Sequence, residues 1–364
     1  MTGKERFKKL VDEGREGKNI GLSIGSPKLG LYMDDYLPGV SYLIGGNSGT
    51  GKSTFTLEKF IYNPLQDFLN DESKKDRDPY WIIFSLEMTM EQVYAKLCSM
   101  YIYDKYGIQL RFKEIFSRGK DCIISEDNYN IIQNEIDEFL DVLDKRLIFH
   151  EGTLTEEVYL TTMNAELKRF GKFVGNTYEP YNSQQIIGSL IDHCSLVKAS
   201  NGRTKKEEMD AISRDSVIIR NKTRIVSPIH VSQFNRSSNS DERLKQSKQT
   251  PTASDYKDSG SIYEDSMCVF ALFSPHQYSL NAFHSYNIKV LEQNFIAVYL
   301  LKSRFGTSDI WVPFGYYGDC GRYFELPRPE TINDWDRYKY PEWKFKEDMK
   351  NEEEISDNEF KFKM

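Results

Sequence analysis

Cysteine, histidine and long apolar runs are scarce in this 364-residue chain, and each scarcity removes a class of protein. The five cysteines, Cys98, Cys122, Cys194, Cys268 and Cys320, form no CxxC pair and have no histidine at metal-ligand spacing. A disulfide framework and a structural zinc site are therefore excluded, and a reducing cytoplasm is the expected compartment. No uncharged run approaches the roughly 18 residues of a membrane span, and Met1 to Leu10 is charged where an export signal would be apolar. Excess positive charge is missing too: 48 Lys and Arg against 55 Asp and Glu leave a net charge of -7. Any nucleic-acid contact must then be confined to a groove or pore.

What is present is an alternation of apolar runs and helical patterns, the signature of an α/β fold with a mainly parallel sheet flanked by helices. The strands are expected at 40–44, 81–86, 146–150, 185–192, 229–234, 267–273, 295–303 and 310–314. Helices are expected at 53–62, 90–103, 128–143, 156–170 and 205–224, where apolar residues recur every three or four positions. Phe7, Leu10 and Val11 form the stripe of a short amphipathic helix ahead of the main domain. Lys172 to Ser183 and Ser237 to Ser254 read as loops, and no internal repeat is evident. The spacing predicts three parts: a linker helix in residues 1–20, one domain over 21–326, and an acidic, aromatic and partly disordered tail over 327–364.

The chemistry begins at Gly46-Asn47-Ser48-Gly49-Thr50-Gly51-Lys52-Ser53, a GxxxxGK[ST] pattern directly between a strand and a helix. Average residue frequencies put this bare pattern in about 1 per cent of chains of this length by accident. Its glycines let backbone N–H groups close around a phosphate, and the following helix adds a favourable dipole. Thr54 continues the nucleotide-binding run; Lys52 would reach the β and γ phosphates of ATP, and Ser53 would ligate magnesium.

Two apolar strands then end in acids. Trp81 to Leu86 runs into Glu87, positioned as a general base for the water that attacks the γ-phosphate. A carboxylate at a helix start also satisfies the helix dipole, so Glu87 alone has two readings. Ile186 to Asp192 has the form of a Walker B strand, with Asp192 holding the magnesium shell through water. His193 and the other histidines are assigned to packing or surface.

The order of these motifs resembles the motor domain of DnaB-type hexameric replicative helicases, in the RecA-like superfamily. Phe84-Ser85-Leu86-Glu87-Met88 is similar to that family's catalytic-glutamate strand, and Ser232-Gln233-Phe234-Asn235-Arg236 to its sensor motif. The resemblance implies that Gln233 contacts the γ-phosphate and relays its presence to the DNA loops. Ser254 to Ile262 resembles the DNA-contacting loop, which implies phosphate contacts at Arg236, Lys257 and Gly260. Lys302-Ser303-Arg304-Phe305-Gly306 is similar to the KxRxG segment, which makes Arg304 an arginine finger and Lys302 its companion, both serving a neighbouring subunit.

The implied fold is a RecA-like phosphate-loop NTPase core. The implied partners are single-stranded DNA, further copies of the chain in a six-membered ring, and a primase, loader or polymerase, with no membrane. Three departures stand out. His193 replaces an aromatic residue, Lys257 replaces an arginine and so loses its bidentate fork, and the family's amino-terminal collar is not in evidence. A helicase motor without a collar would be at home in a phage. Two other readings stay open: a recombinase-like DNA-dependent ATPase that does not unwind, and a helicase-derived, nucleotide-gated accessory protein.

Overall fold

Runs such as Tyr42–Gly46 and Cys268–Phe273 are buried at every position, a pattern that only a sheet covered on both faces can use. The computed structural model of the protein describes residues 2–200, 202–235 and 249–348. Its strands are β1 (Tyr42–Gly46), β2 (Tyr80–Ser85), β3 (Leu147–Glu151), β4 (Gly171–Val174), β5 (Thr177–Pro180), β6 (Ile187–Asp192) and β7 (Val226–Gln233). They continue with β8 (Cys268–Phe273), β9 (Ala282–Phe283), β10 (Tyr286–Asn287), β11 (Phe295–Ser303), β12 (Ile310–Tyr317) and β13 (Arg322–Glu325).

Nine of them form one sheet in the order β13-β12-β11-β8-β1-β7-β6-β2-β3. From β8 to β3 the neighbours are parallel, and β11, β12 and β13 complete the sheet antiparallel. Alternate residues serve opposite cores: Tyr42 and Ile44 pack on one face, Leu43 on the other. The α/β architecture expected from the alternation is the one observed. Among the described residues no helix is long and apolar enough to cross a membrane.

The helix after the phosphate loop opens at Lys52–Leu57, widens into a π-helical turn at Glu58–Tyr62 and continues as Asn63–Asn70, well past the expected end at residue 62. Glu58 and Lys59 on the wide turn are completely buried and lie 3.2 Å apart as an ion pair. Helix Met90–Tyr106 starts on a Thr89/Gln92 capping box and stops at Gly107, whose positive φ of 68° ends it cleanly.

Several elements differ from expectation. The helix expected at 128–143 is two, Glu126–Asn134 and Asp137–Arg146, because the break turns Ile136 into the core. The loop expected at 172–183 holds the hairpin β4–β5, which turns through Gly175 at positive φ and is pinned by a Phe173–Tyr178 ring contact. A short helix, Pro27–Met33, precedes β1 where none was expected.

The start of the expected tail also packs. Tyr338 and Trp343 are buried in a third core with Tyr317, whose hydroxyl donates to the Tyr338 carbonyl at 2.8 Å. Trp343 Nε1 in turn donates to Tyr317 Oη at 2.7 Å. Residues 327–348 therefore belong to the body of the domain; the acidic cluster Glu352 to Glu354 lies outside the described residues. Helix Gly3–Arg15 forms as expected, and its Phe7, Leu10 and Val11 stay 69%, 54% and 54% exposed on this chain.

Trp343→Ala tests the packed segment. Removing this buried ring should lower stability by about 3–5 kcal/mol in a denaturant titration, whereas a solvated tail would leave the midpoint unchanged.

Candidate active site

Steric constraints shape the phosphate loop first. Gly49 and Gly51 hold φ of 77° and 79°, which side chains rarely tolerate. At Gly51 space forbids a side chain as well, since a Cβ would lie 2.1 Å from the Tyr323 hydroxyl. Thr50 Oγ1 and Lys52 Nζ both donate to the Asn47 carbonyl, each at 2.8 Å, closing the loop on itself. From outside, Gln277 Nε2 donates to the Ser48 carbonyl at 3.0 Å and Asn47 Nδ2 to Tyr278 Oη at 2.7 Å.

Parallel pairing then brings the other motif residues to the same edge. Gly46 is level with Gln233 across β1 and β7, and Ser85 is level with Asp192 across β2 and β6. Two further backbone bonds extend the alignment beyond the strands: Leu86 N–H to the Asp192 carbonyl at 2.9 Å, and Phe234 N–H to the Gly46 carbonyl at 3.2 Å. Between these ends lies a cleft of ≈ 370 Å³ lined by the phosphate loop, Glu87, Lys96, His193 and Gln233. Strand carboxyl ends are where open α/β sheets bind ligands.

The charged groups of the cleft are held partly out of water. Asp192 is 4% exposed, and burial pushes its carboxyl up to about 6, against a hydrogen bond from Ser53 and the charges of Lys52 and Lys96 that pull it down. Its Oδ1 is buried with no hydrogen-bond partner. Burial likewise depresses the Lys52 ammonium, with Asp192 and Glu87 opposing the shift. Glu87 itself is half exposed, so solvent reaches its carboxylate.

Two polar residues line the cleft that the sequence did not assign to it. His193 Nε2 lies 3.7 Å from Glu87 Oε2, while its Nδ1 is 2.7 Å from Ser195 Oγ. Burial depresses its pKa, and the ring bonds Ser195 and stands beside Glu87, where packing or surface was expected. Lys96 Nζ donates to Thr54 Oγ1 at 3.2 Å, and burial lowers its pKa against the pull of Asp192 and Glu87. A signal exists for Lys96: it interrupts the buried stripe Val93, Leu97, Met100 on its helix, where an ammonium needs a reason to be.

Other motif residues stand away from this cleft. Because β11 runs antiparallel to β8, Ser303 pairs with Cys268 and so lies level with Tyr42 at the start of β1. That is roughly 13 Å of strand from the phosphate loop. Lys302 Nζ donates to the carbonyls of Tyr263 and Glu264 at 2.9 and 2.8 Å, and Arg304 is exposed beyond the strand end. Neither serves the cleft of its own chain.

The sensor segment touches both sides. Phe234 is bonded to Gly46, and Asn235 donates from its backbone to the Asp255 carbonyl and from Nδ2 to the Ser254 carbonyl, each at 3.0 Å. Tyr256 is buried beneath β1, its hydroxyl donating to the Phe270 carbonyl. Gly260 opens helix Gly260–Asp265. Arg236 lies outside the described residues; the backbone of Lys257 lies in the turn Ala253–Ser259, and its side chain is likewise outside them.

The comparisons with known proteins bear on the fold and the family. The chain is similar to a solved ATPase domain at a TM-score of 0.64 and 17% identity, over 90% of this chain and 99% of that one. It is similar to a DnaB-like replicative helicase, whose structure was described with its interactions with primase, at a TM-score of 0.60 and 17% identity. That match covers 90% of this chain and 67% of the other. Likeness at such identities concerns the fold alone. No curated protein sequence gives a significant match. The profile of the DnaB-like helicase C terminal domain matches residues 21–324, and the chain belongs to that family.

Proposed function

We propose that this chain is the motor of an ATP-dependent DNA helicase, hydrolysing ATP at the cleft and translocating on single-stranded DNA as a ring of copies, six by family resemblance. The observation that carries the reading is the hydrogen-bonded path from Gly46 of the phosphate loop through Phe234 and Asn235 to Ser254 and Asp255. A nucleotide pulling on one end of that path moves a segment of the DNA-binding type at the other. Arg236, Lys257 and Gly260 are the residues proposed to grip the strand's backbone, and a primase, loader or polymerase is the partner class proposed for the ring.

The catalytic roles follow from position and charge. Lys52 neutralises the β and γ phosphates, Lys96 adds a second cation near Thr54, and Gln233 reads the γ-phosphate from the end of β7. Glu87, open to solvent, polarises the attacking water, with His193 beside its carboxylate. Ser53 and Asp192 are suited to Mg2+: a hydroxyl and a buried carboxylate with one unpartnered oxygen offer a ligand and an acceptor for a metal-bound water. The ion would neutralise phosphate charge. Lys302 and Arg304 act in trans on a neighbour's ATP, so hydrolysis depends on assembly. The uncovered stripe of Phe7, Leu10 and Val11 supports a docking role for the first helix on the next copy.

Turnover is expected to rise steeply with protein concentration and further with single-stranded DNA, measured as phosphate release. Glu87→Gln should lower it at least about 100-fold while leaving nucleotide binding intact. Flat turnover in DNA would instead favour the nucleotide-gated accessory protein.

Mixing separates cis from trans roles. Arg304→Ala and Glu87→Gln should each be nearly inactive alone, the first by about 10³-fold. Mixed before assembly they should regain partial activity, because one supplies an intact cleft and the other an intact finger. No recovery at any ratio rejects the shared site.

The raised carboxyl of Asp192 yields a stability prediction. A group at about 6 when folded, against its ordinary 3.8, is penalised as pH rises through that window and carries the full penalty above it. Asp192→Asn should therefore stabilise the nucleotide-free protein at pH 7.5 by at most about 3 kcal/mol, and by nothing near pH 3.5. The same variant should lose the stabilisation that magnesium and ADP give the unaltered protein, as read by thermal melts with and without ligand.

A further inference from the structure

The phosphate loop is gripped from behind by a residue outside its motif. Tyr323 of β13 is 1% exposed, and its hydroxyl lies 3.0 Å from the Gly51 carbonyl and 3.3 Å from the Thr50 carbonyl. Its ring cannot drift: it stacks on Tyr316 at 4.5 Å and meets Phe55 edge-on at 5.4 Å. Its backbone is held as firmly. The Tyr323 N–H donates to Glu58 Oε1 at 3.1 Å, and Lys59 Nζ donates to the Tyr323 carbonyl at 3.1 Å. Glu58 and Lys59 stand on the π-helical turn of the very helix that Lys52 begins. The circuit is closed: the loop's own helix anchors the strand residue that anchors the loop.

We propose that Tyr323 is a positioning residue for nucleotide phosphates, acting through the backbone amides of Gly51 and Lys52. In a trans peptide the carbonyl and the N–H point to opposite sides. Fixing the Thr50 carbonyl therefore aims the Gly51 N–H, and fixing the Gly51 carbonyl aims the Lys52 N–H, both away from Tyr323 and toward the cleft. These amides are the groups that cradle a phosphate at a helix amino terminus. The buried Glu58–Lys59 pair and Arg322, whose Nη1 is 2.9 Å from Glu58 Oε1, set the position of β13 and hence of the hydroxyl. Gly51 acquires a second reason to be glycine: any side chain there would expel the hydroxyl.

The inference rests on the cleft being a nucleotide site, and the experiment separates the two. Tyr323→Phe removes the hydroxyl and keeps the ring. Amides that hold phosphate equally in the ground and transition states contribute uniform binding, so their misalignment raises KM and leaves kcat. The variant should bind Mg·ADP about fivefold more weakly by calorimetry and raise the KM for ATP by a similar factor, with kcat within about twofold. Tyr178→Phe is the structural control. It deletes another buried hydroxyl, bonded to the Leu167 carbonyl at 2.8 Å, and should lower the melting temperature without changing the ADP affinity.

Unchanged ADP affinity in Tyr323→Phe, or an equal loss in both variants, overturns the positioning role while the nucleotide site stands. Failure of the unaltered protein to bind Mg·ADP overturns the nucleotide reading, and the inference falls with it.

Discussion

Backbone pairing among β1, β7, β6 and β2 is the constraint on which the site depends. Parallel strands share a direction, so their carboxyl ends meet at one edge, and the register decides which residues arrive together. Here it aligns Gly46 with Gln233 and Ser85 with Asp192, and the bonds from Leu86 and Phe234 carry the alignment into the loops. A slip of one residue in β6 would turn Asp192 away from Ser53 and place an apolar side chain in the cleft. A slip would also exchange the side chains of two differently filled cores, and this packing opposes it.

Within the aligned edge, charges are held apart from water at a cost that a ligand can relieve. Asp192 keeps an unpartnered oxygen, and Lys52 and Lys96 are both depressed by burial. Rigidity behind the cleft complements strain within it. The buried Glu58–Lys59–Arg322 cluster and the Tyr323 hydroxyl fix the back of the phosphate loop, so little binding energy goes into ordering it.

The antiparallel strands give the domain its two-sidedness. Because β11 reverses direction, Lys302 and Arg304 emerge at the edge opposite the phosphate loop, away from the cleft of their own chain. The segment after β7 ties the phosphate loop to the turn Ala253–Ser259, through Phe234 and Asn235 and through Tyr256 wedged beneath Gly45. That wedge leaves no room for change, since a side chain at Gly45 would meet the Tyr256 ring at 2.3 Å.

Much of this is legible in residue order. The phosphate loop declares itself because glycine spacing, lysine and hydroxyl are local requirements of phosphate binding, and the apolar strands because burial on both faces leaves no polar alternation. The acids at Glu87 and Asp192 are visible as strand ends. Lys96 shows only as a charge in a buried stripe, and His193 not at all, because their meaning lies in what faces them across the cleft; so does the role of Trp343, whose partner Tyr317 stands 26 residues away. The hairpin β4–β5 is hidden by turn-forming composition that a loop shares. The sequence by itself determined the fold class, the loop and the strand-end acids, all set by short-range pattern. Only the tertiary structure decided which side of the sheet each charge occupies and that Tyr323 holds Gly51, because strand direction and register are properties of pairing between distant segments.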